Sequence, residues 1–290
     1  MVNFMLKKII TISLVLATVL SLSSCGEQQQ PVVSADNLGE NDFLHNEEYE
    51  LVWHDEFDGD SLNLDDWQYE VGFIRNNEPQ YYTDRQENVF VKDGLLNIVA
   101  LKEEYDAPGR TAEYTSGSIN TQGKHSFKYG AIEMRAKLPS GNAPETSWAA
   151  FWMMGDKDYW PISGETDIVE AYGQDFYKYE ANVHWADSDS NHVHLWDTDG
   201  SVPTYYSARD ELGADFHTYG VDWDENRMRF YFDDVTVGEI DITGEDQAEL
   251  HYANYLLLNL ALQPQNVGDA DDSQFPITYQ VDYVRVFQKK

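Results

Sequence analysis

From Tyr49 onward the chain is a succession of short runs rich in β-branched and aromatic residues, each closed by turn residues, and that pattern confines it to an all-β fold. The runs include Glu50-Leu51-Val52-Trp53, Asn88-Val89-Phe90-Val91, the stretches 95–100, 116–121 and 130–138, and later 227–232, 255–260 and 279–287. Turn chemistry is explicit at Lys92-Asp93-Gly94, Ser140-Gly141-Asn142 and Phe232-Asp233-Asp234. Many short strands at this spacing predict a two-sheet antiparallel β-sandwich. The one helix candidate lies at 207–212. A single β domain of about 200 to 250 residues is ordinary, so residues 48–290 are read as one domain.

The 290 residues carry a formal charge of −33. A surface of that sign repels nucleic acid and anionic membranes, whereas a neutral polymer is a compatible partner. The N-terminus has a different character: Lys7 and Lys8, an apolar stretch from Ile9 to Leu22, then Ser23-Ser24-Cys25. That stretch is too short and wrongly flanked for a membrane span, and reads as an export signal. Leu22-Ser23-Ser24-Cys25 resembles the bacterial lipoprotein cleavage box, and Cys25 is the only cysteine, so no disulfide within the chain competes for it. Residues 1–24 are therefore expected to be a lipoprotein signal peptide, with Cys25 lipidated. Residues 25–47, polar and without periodicity, are expected to be a flexible linker. The expected product is an exported bacterial lipoprotein of the outer membrane or cell surface, touching the membrane only through its N-terminal lipid.

Glu165-Thr166-Asp167-Ile168-Val169-Glu170 crowds three carboxylates into a run with strand character. Successive strand side chains point to opposite faces, so Glu165 and Asp167 share one face while Thr166 and Ile168 share the other. Strict alternation would turn Glu170 away from its partners, and a one-residue β-bulge in the Ile168-Val169 stretch would bring it back. With the bulge removed, four strand steps separate the outer Cα atoms by about 13 Å. Inclined side chains can close that gap toward the roughly 5 to 5.5 Å between carboxyl groups used in retaining glycoside hydrolysis. The competing reading is an acidic strand on the solvent face of a very acidic protein. Aromatic neighbours separate the two: Trp148-Ala149-Ala150-Phe151-Trp152-Met153-Met154 and then Trp160-Pro161-Ile162-Ser163-Gly164 supply the flat apolar faces on which a sugar ring packs.

Taken together, the carboxylate run, the Trp-rich stretch and the all-β pattern resemble glycoside hydrolase family 16, and within it the bacterial laminarinases, which are endo-acting β-1,3-glucanases. Further segments carrying the resemblance are Trp53-His54-Asp55-Glu56-Phe57-Asp58-Gly59, Asn76-Asn77-Glu78-Pro79-Gln80-Tyr81-Tyr82-Thr83, the stretch 123–130, and Val281-Asp282-Tyr283-Val284-Arg285-Val286. The resemblance implies a jelly roll with a concave substrate cleft, a retaining double displacement without a cofactor, and a monomer acting on a neutral β-glucan. Position by position it implies Glu165 as nucleophile, Asp167 as assisting carboxylate and Glu170 as general acid/base. It also implies that Trp160 and Trp148 stack on sugar, that His184 lines the site, and that Asn77, Glu78 and Arg85 contact sugar hydroxyls. Each of these six also has a structural reading, as core indole, buried imidazole or loop packing.

Many such relatives hold a structural calcium, and the matching positions here are Glu56, the Gly94 carbonyl and Asp282, all hard oxygen donors. His192-Val193-His194 puts two imidazoles on one strand face, but no cysteine or third histidine sits at a spacing that supports zinc. The chain departs from the laminarinase pattern at Leu260-Ala261-Leu262-Gln263-Pro264-Gln265-Asn266-Val267-Gly268, which lacks the Trp common in that loop. The change touches linkage preference rather than chemistry. A mixed-linkage β-1,3-1,4-glucan, a galactan such as agarose, and binding without turnover are therefore the alternatives to laminarin hydrolysis.

Overall fold

The computed structural model describes residues 32–34, 48–194, 205–233 and 235–290. The signal peptide, Cys25, most of the linker and Asp234 of the expected turn lie outside the described residues. One sheet runs in the order β1 (Val32–Ser34), β14 (Tyr205–Ser207), β12 (Lys178–Ala186), β11 (Glu165–Tyr172), β10 (Ser147–Gly155), β18 (Asn254–Leu262), β8 (Ser118–Asn120) and β3 (Gln68–Tyr69), with β13 (His192–His194) also paired to β12. The second runs β17 (Val235–Asp241), β16 (Arg227–Phe232), β15 (His217–Trp223), β9 (Gly130–Lys137), β19 (Ile277–Lys289), β6 (Leu95–Ala107), β7 (Arg110–Ser116) and β4 (Gln80–Tyr82). β2 (Tyr49–Asp55) adds to β19, and β5 (Val89–Lys92) adds to β6. The two-sheet sandwich read from the sequence is therefore present. Two pairings depart from its antiparallel rule: β4 with β7, and β1 with β14, the latter placing Val32–Ser34 of the expected linker against the edge of the first sheet.

Residues 207–212 do not form the expected helix. The Ala208 N–H donates to the Tyr177 carbonyl at 2.7 Å and the Leu212 N–H to the Phe176 carbonyl at 2.8 Å, so the backbone donors of a helical turn are used on a neighbouring loop. The only helical segments among the described residues are short 3₁₀ turns at Ala248–His251, Val267–Asp269 and Asp272–Gln274. The turn at Lys92-Asp93-Gly94 is as read. Asp93 and Gly94 take φ of 55° and 76°, the double positive that a two-residue hairpin between β5 and β6 requires.

β10 and β18 show why parts of this chain read as unbroken apolar runs. Ala149, Phe151 and Met153, with Leu256, Leu258, Leu260 and Leu262, point into the sandwich core. Ala150, Trp152, Tyr255 and Leu257 pack together on the opposite face. A strand covered on both faces loses its polar alternation, and every residue of β18 is buried. From the second sheet the core receives Ile132, Met134 and Ala136 of β9, Tyr219, Val221 and Trp223 of β15, and Val281, Val284 and Val286 of β19. Fully burying each large apolar side chain contributes about 1.5–3 kcal/mol. β19 also closes the domain's two ends together, because it pairs with β2 and the Lys290 N–H donates to the Glu48 carbonyl at 2.9 Å.

The expected bulge is present in β11. Phe151 pairs with Val169 but Trp152 with Asp167, leaving Ile168 as the extra residue on that side. The other neighbour agrees, since Asp167 pairs with Asn182 and Glu170 with Glu180, three steps against two. Ile168 and Val169 consequently both enter the core. Deleting Ile168 should restore strict alternation and drive Glu170 toward that core, where an unpaired carboxyl costs several kcal/mol. Urea unfolding is expected to show that loss, and a deletion variant of native stability and activity would refute it.

Candidate active site

β12 carries Glu180, Asn182 and His184 on one face and Ala181, Val183 and Trp185 in the core, an unbroken alternation. Its register sets His184 opposite Glu165, Asn182 opposite Asp167 and Glu180 opposite Glu170. β10 gives the same count from the other side, with Met154 opposite Glu165 and Ala150 opposite Glu170. On both neighbours the outer glutamates are thus four residues apart, about 13 Å along a strand, and on one face. The three carboxylates are brought together as the sequence implied.

An indole N–H donates to each outer carboxylate. Trp160 Nε1 meets Glu165 Oε2 at 2.5 Å and Trp148 Nε1 meets Glu170 Oε1 at 3.0 Å. Trp160 is 44% exposed, which rules out the core reading of that ring. Trp148 packs beside Tyr172 with ring centres 5.4 Å apart, and the Tyr172 hydroxyl also bonds Glu170. Asp167, between the two, is only 3% exposed. His184 Nε2 lies 3.0 Å from its Oδ2 without the alignment of a hydrogen bond, so Oδ2 is buried and unsatisfied.

Crowding raises the proton affinity of all three carboxylates. Burial, then the charge of Asp167, pushes Glu165 up to about 8, against the opposing pull of His184 and the Trp160 N–H. Burial, then Glu165, pushes Glu170 up to about 7, against His184, Trp148 and Tyr172. Burial and the charges of Glu170 and Glu180 hold Asp167 well above the usual carboxylate range. Near neutral pH the site therefore retains protons, and Glu165 and Asp167 share a hydrogen bond.

His184 reaches the site as expected and brings company. Its Nδ1 is 2.8 Å from His192 Nε2, its ring lies 5.6 Å from that of His194, and the His192 ring packs 4.5 Å from Trp160. The third histidine that the local spacing lacked is supplied across the β12–β13 pair, where His184 opposes His194. Glu78 is buried at 3%, accepting from Gln80 Nε2 at 2.7 Å and from the Tyr82 hydroxyl at 3.2 Å. Tyr82 in turn accepts from Asn259, whose Oδ1 accepts from Trp152 Nε1 at 2.7 Å, and Trp152 sits opposite Asp167. Glu78 therefore supports the floor beside the carboxylates. Arg75, which the sequence reading missed, stacks 5.1 Å over Trp152 and pairs with Glu70.

Asn77 is exposed in a turn with φ of 52°. Arg85 is not brought to the carboxylates: it pairs with Glu103, bonds Asn88 and Thr115, and lies 4.7 Å over Tyr105, so its partners are packing partners in and beside β6 and β7. The expected calcium donors converge by register, because β2 and β6 meet along β19 on either side of residues 282 and 283. Both carboxylates, however, are held by arginines. Arg285 grips Glu56 through two bonds of 2.8 Å, and Arg135 pairs with Asp282. Two neutralised carboxylates and one carbonyl fall short of the six to eight oxygens that calcium takes.

The carboxylates lie on the open sheet face, beside a hollow of about 140 Å³ lined by Tyr172, Gln174, Asp175, Lys178, Tyr179 and Tyr205. Larger depressions of about 690 and 440 Å³ lie around Lys102 and Pro139, none of whose lining residues belongs to β11.

The sequence family described as Beta-porphyranase A-D, GH16 domain, matches residues 51–289. The chain is similar to Glucan endo-1,3-beta-glucosidase A1 of Niallia circulans, 33% identical over 268 residues that cover 83% of this chain and 38% of that protein. It is also similar to the Beta-glucanase of Rhodothermus marinus, 36% identical over 260 residues that cover 83% and 85% of the two chains. Among solved structures it resembles a variant of LamA from Zobellia galactanivorans in complex with laminaritriose and laminaritetraose, with a TM-score of 0.71, 33% identity, and coverage of 82% of this chain and 98% of that one.

Carboxyl groups whose proton affinity rises on folding stabilise the native state below their ordinary value and cease to do so as pH passes the raised one. Stability should therefore fall between about pH 4.5 and 8 as Glu170 and then Glu165 ionise. Melting curves of Glu165→Gln and Glu170→Gln are each expected to be flatter than the native curve over that interval, and parallel curves would contradict the assignment.

Proposed function

The chain belongs to glycoside hydrolase family 16, and on that premise we propose that it is an endo-acting retaining hydrolase of internal β-1,3-glucosidic bonds in laminarin-type glucans. The observation that carries the proposal is the pair of glutamates four register steps apart on one face, each held by an indole N–H, with a buried carboxyl between them.

Glu165 is the proposed nucleophile and Glu170 the acid/base. Glu165 attacks the anomeric carbon as the glycosidic C–O bond breaks, and Glu170 gives its proton to the departing oxygen. Water then attacks the glycosyl ester, Glu170 takes the water's proton, and Glu165 leaves as carboxylate with the anomeric configuration retained. The attack requires ionised Glu165, although crowding favours a proton there. Asp167 resolves this by keeping the shared proton on its own oxygen and donating a hydrogen bond through it to Glu165, which leaves the negative charge on the nucleophile. The Trp160 N–H supports the same anion while the ring, 44% exposed, offers a face to sugar. Trp148 and Tyr172 orient Glu170.

A β-1,3-glucan is supported by the relatives' activities, and a neutral polymer by the chain's charge of −33. The galactan reading draws on the matched family's description and on the Gln263 to Gly268 loop without its Trp. Product analysis on laminarin, lichenan, agarose and porphyran decides between them: internal cleavage of laminarin with β-configured initial products is expected, and degradation of another polymer alone overturns the substrate. Glu165→Gln is expected to lower kcat by at least about 10³-fold while leaving polysaccharide binding largely intact; unchanged turnover would remove Glu165 from the mechanism.

Export and lipidation at Cys25 belong to the same proposal, and place a monomer at the cell surface where such polymers are met. A structural calcium at Glu56, the Gly94 carbonyl and Asp282 is proposed on the register alone, and binding it requires both carboxylates to release their arginines. A melting temperature several degrees higher with calcium than after chelation supports the ion; identical values leave the arginines as the charge balance there.

A further inference from the structure

The unsatisfied Asp167 Oδ2 and His184 Nε2 face one another at 3.0 Å without a hydrogen bond. In the neutral tautomer that donates its Nδ1–H to His192 Nε2, 2.8 Å away, His184 turns a lone pair toward that oxygen. That orientation is the one a metal ligand needs, and the Asp167 oxygen 3.0 Å away is left without a partner. A carboxylate oxygen of Glu165 completes the set, and one ligand atom from each of the three residues lies within 4.8 Å of the others. Zinc bonds of about 2.0–2.2 Å to nitrogen and oxygen place two ligands of one ion about 3 to 4 Å apart, so the cluster needs little adjustment to hold one. The outer arrangement suits it as well: a ligating imidazole is ordinarily fixed by a bond from its other nitrogen, which here goes to His192. One imidazole and two carboxylates leave a fourth position open toward solvent, since Glu165 is only half-buried.

We propose that Glu165, Asp167 and His184 Nε2 form a seat for a divalent cation of the zinc class, and that its occupation silences the site. The ion takes the lone pairs that would attack the anomeric carbon and hold the shared proton, so it competes with substrate. His192 acts as a positioning residue by fixing the His184 tautomer. The silencing rests on the glycosidase reading, but the binding does not.

Calorimetric titration of the mature chain with zinc chloride tests the seat without any turnover. Saturable binding of one ion is expected, weakened at least about 100-fold in Asp167→Asn and in His184→Gln, and about 10-fold in His192→Ala. Should Asp167→Asn fail to fold, Glu165→Gln supplies the same comparison. Hydrolysis by the chelator-treated enzyme should be undiminished, and inhibition by zinc should be relieved by oligosaccharide. Absence of binding at millimolar zinc overturns the proposal. So does native affinity in both Asp167→Asn and His184→Gln, or loss of binding in His194→Ala with retention in Asp167→Asn, which would assign the ion to the histidine cluster.

Discussion

The chemistry of this domain depends on one surplus residue in β11. Without the bulge at Ile168 the strand could present Glu165 and Asp167 to solvent and would place Glu170 in the sandwich core. With it, two consecutive apolar side chains enter the core and three carboxylates share the opposite face. The regular neighbours make the irregularity usable. β10 and β12 keep their alternation, so each carboxylate meets a defined residue across the ladder, and β12 provides His184, Asn182 and Glu180 in step with them.

Crowding of this kind would be disruptive if nothing opposed it. Burial and mutual repulsion favour protons on the site, while the indole N–H groups of Trp160 and Trp148, the Tyr172 hydroxyl and the His184 ring favour negative charge. The balance leaves carboxyl groups that change protonation near neutrality, as an acid and a nucleophile in turn must. The tryptophans consequently serve two ends. Their N–H groups hold the outer carboxylates, and in the proposed function their rings supply apolar surface to the sugar.

Much of this was legible in the residues. The carboxylate run announced both its face and its bulge because strand alternation is strict, and the polar–apolar alternation of Glu180 to Trp185 carried the matching ladder, although nothing local said which strand it would lie beside. Trp152, Asn259, Tyr82 and Arg75 were hidden for the same reason: their association joins segments far apart in sequence and depends on the order of strands in the sheet. Arg85 was ambiguous because a cation in a polar loop suits sugar recognition and packing equally, and its bonds to Glu103 and Thr115 cross to strands that nothing local announces. The helix expected at 207–212 failed through tertiary competition for its backbone donors. His192 and His194 looked isolated because their partner lies on the next strand.

β2 and β19 bring Glu48 and Lys290 within one hydrogen bond of each other, on the sheet that does not carry the carboxylates. Because β2 and β19 end side by side, chain can be added beyond them without parting the sheet they share. Pulling on Glu48 and Lys290 themselves would load the β2–β19 ladder first, whereas a pull from further upstream would first meet Val32–Ser34, paired with β14 at the edge of the sheet that carries the carboxylates.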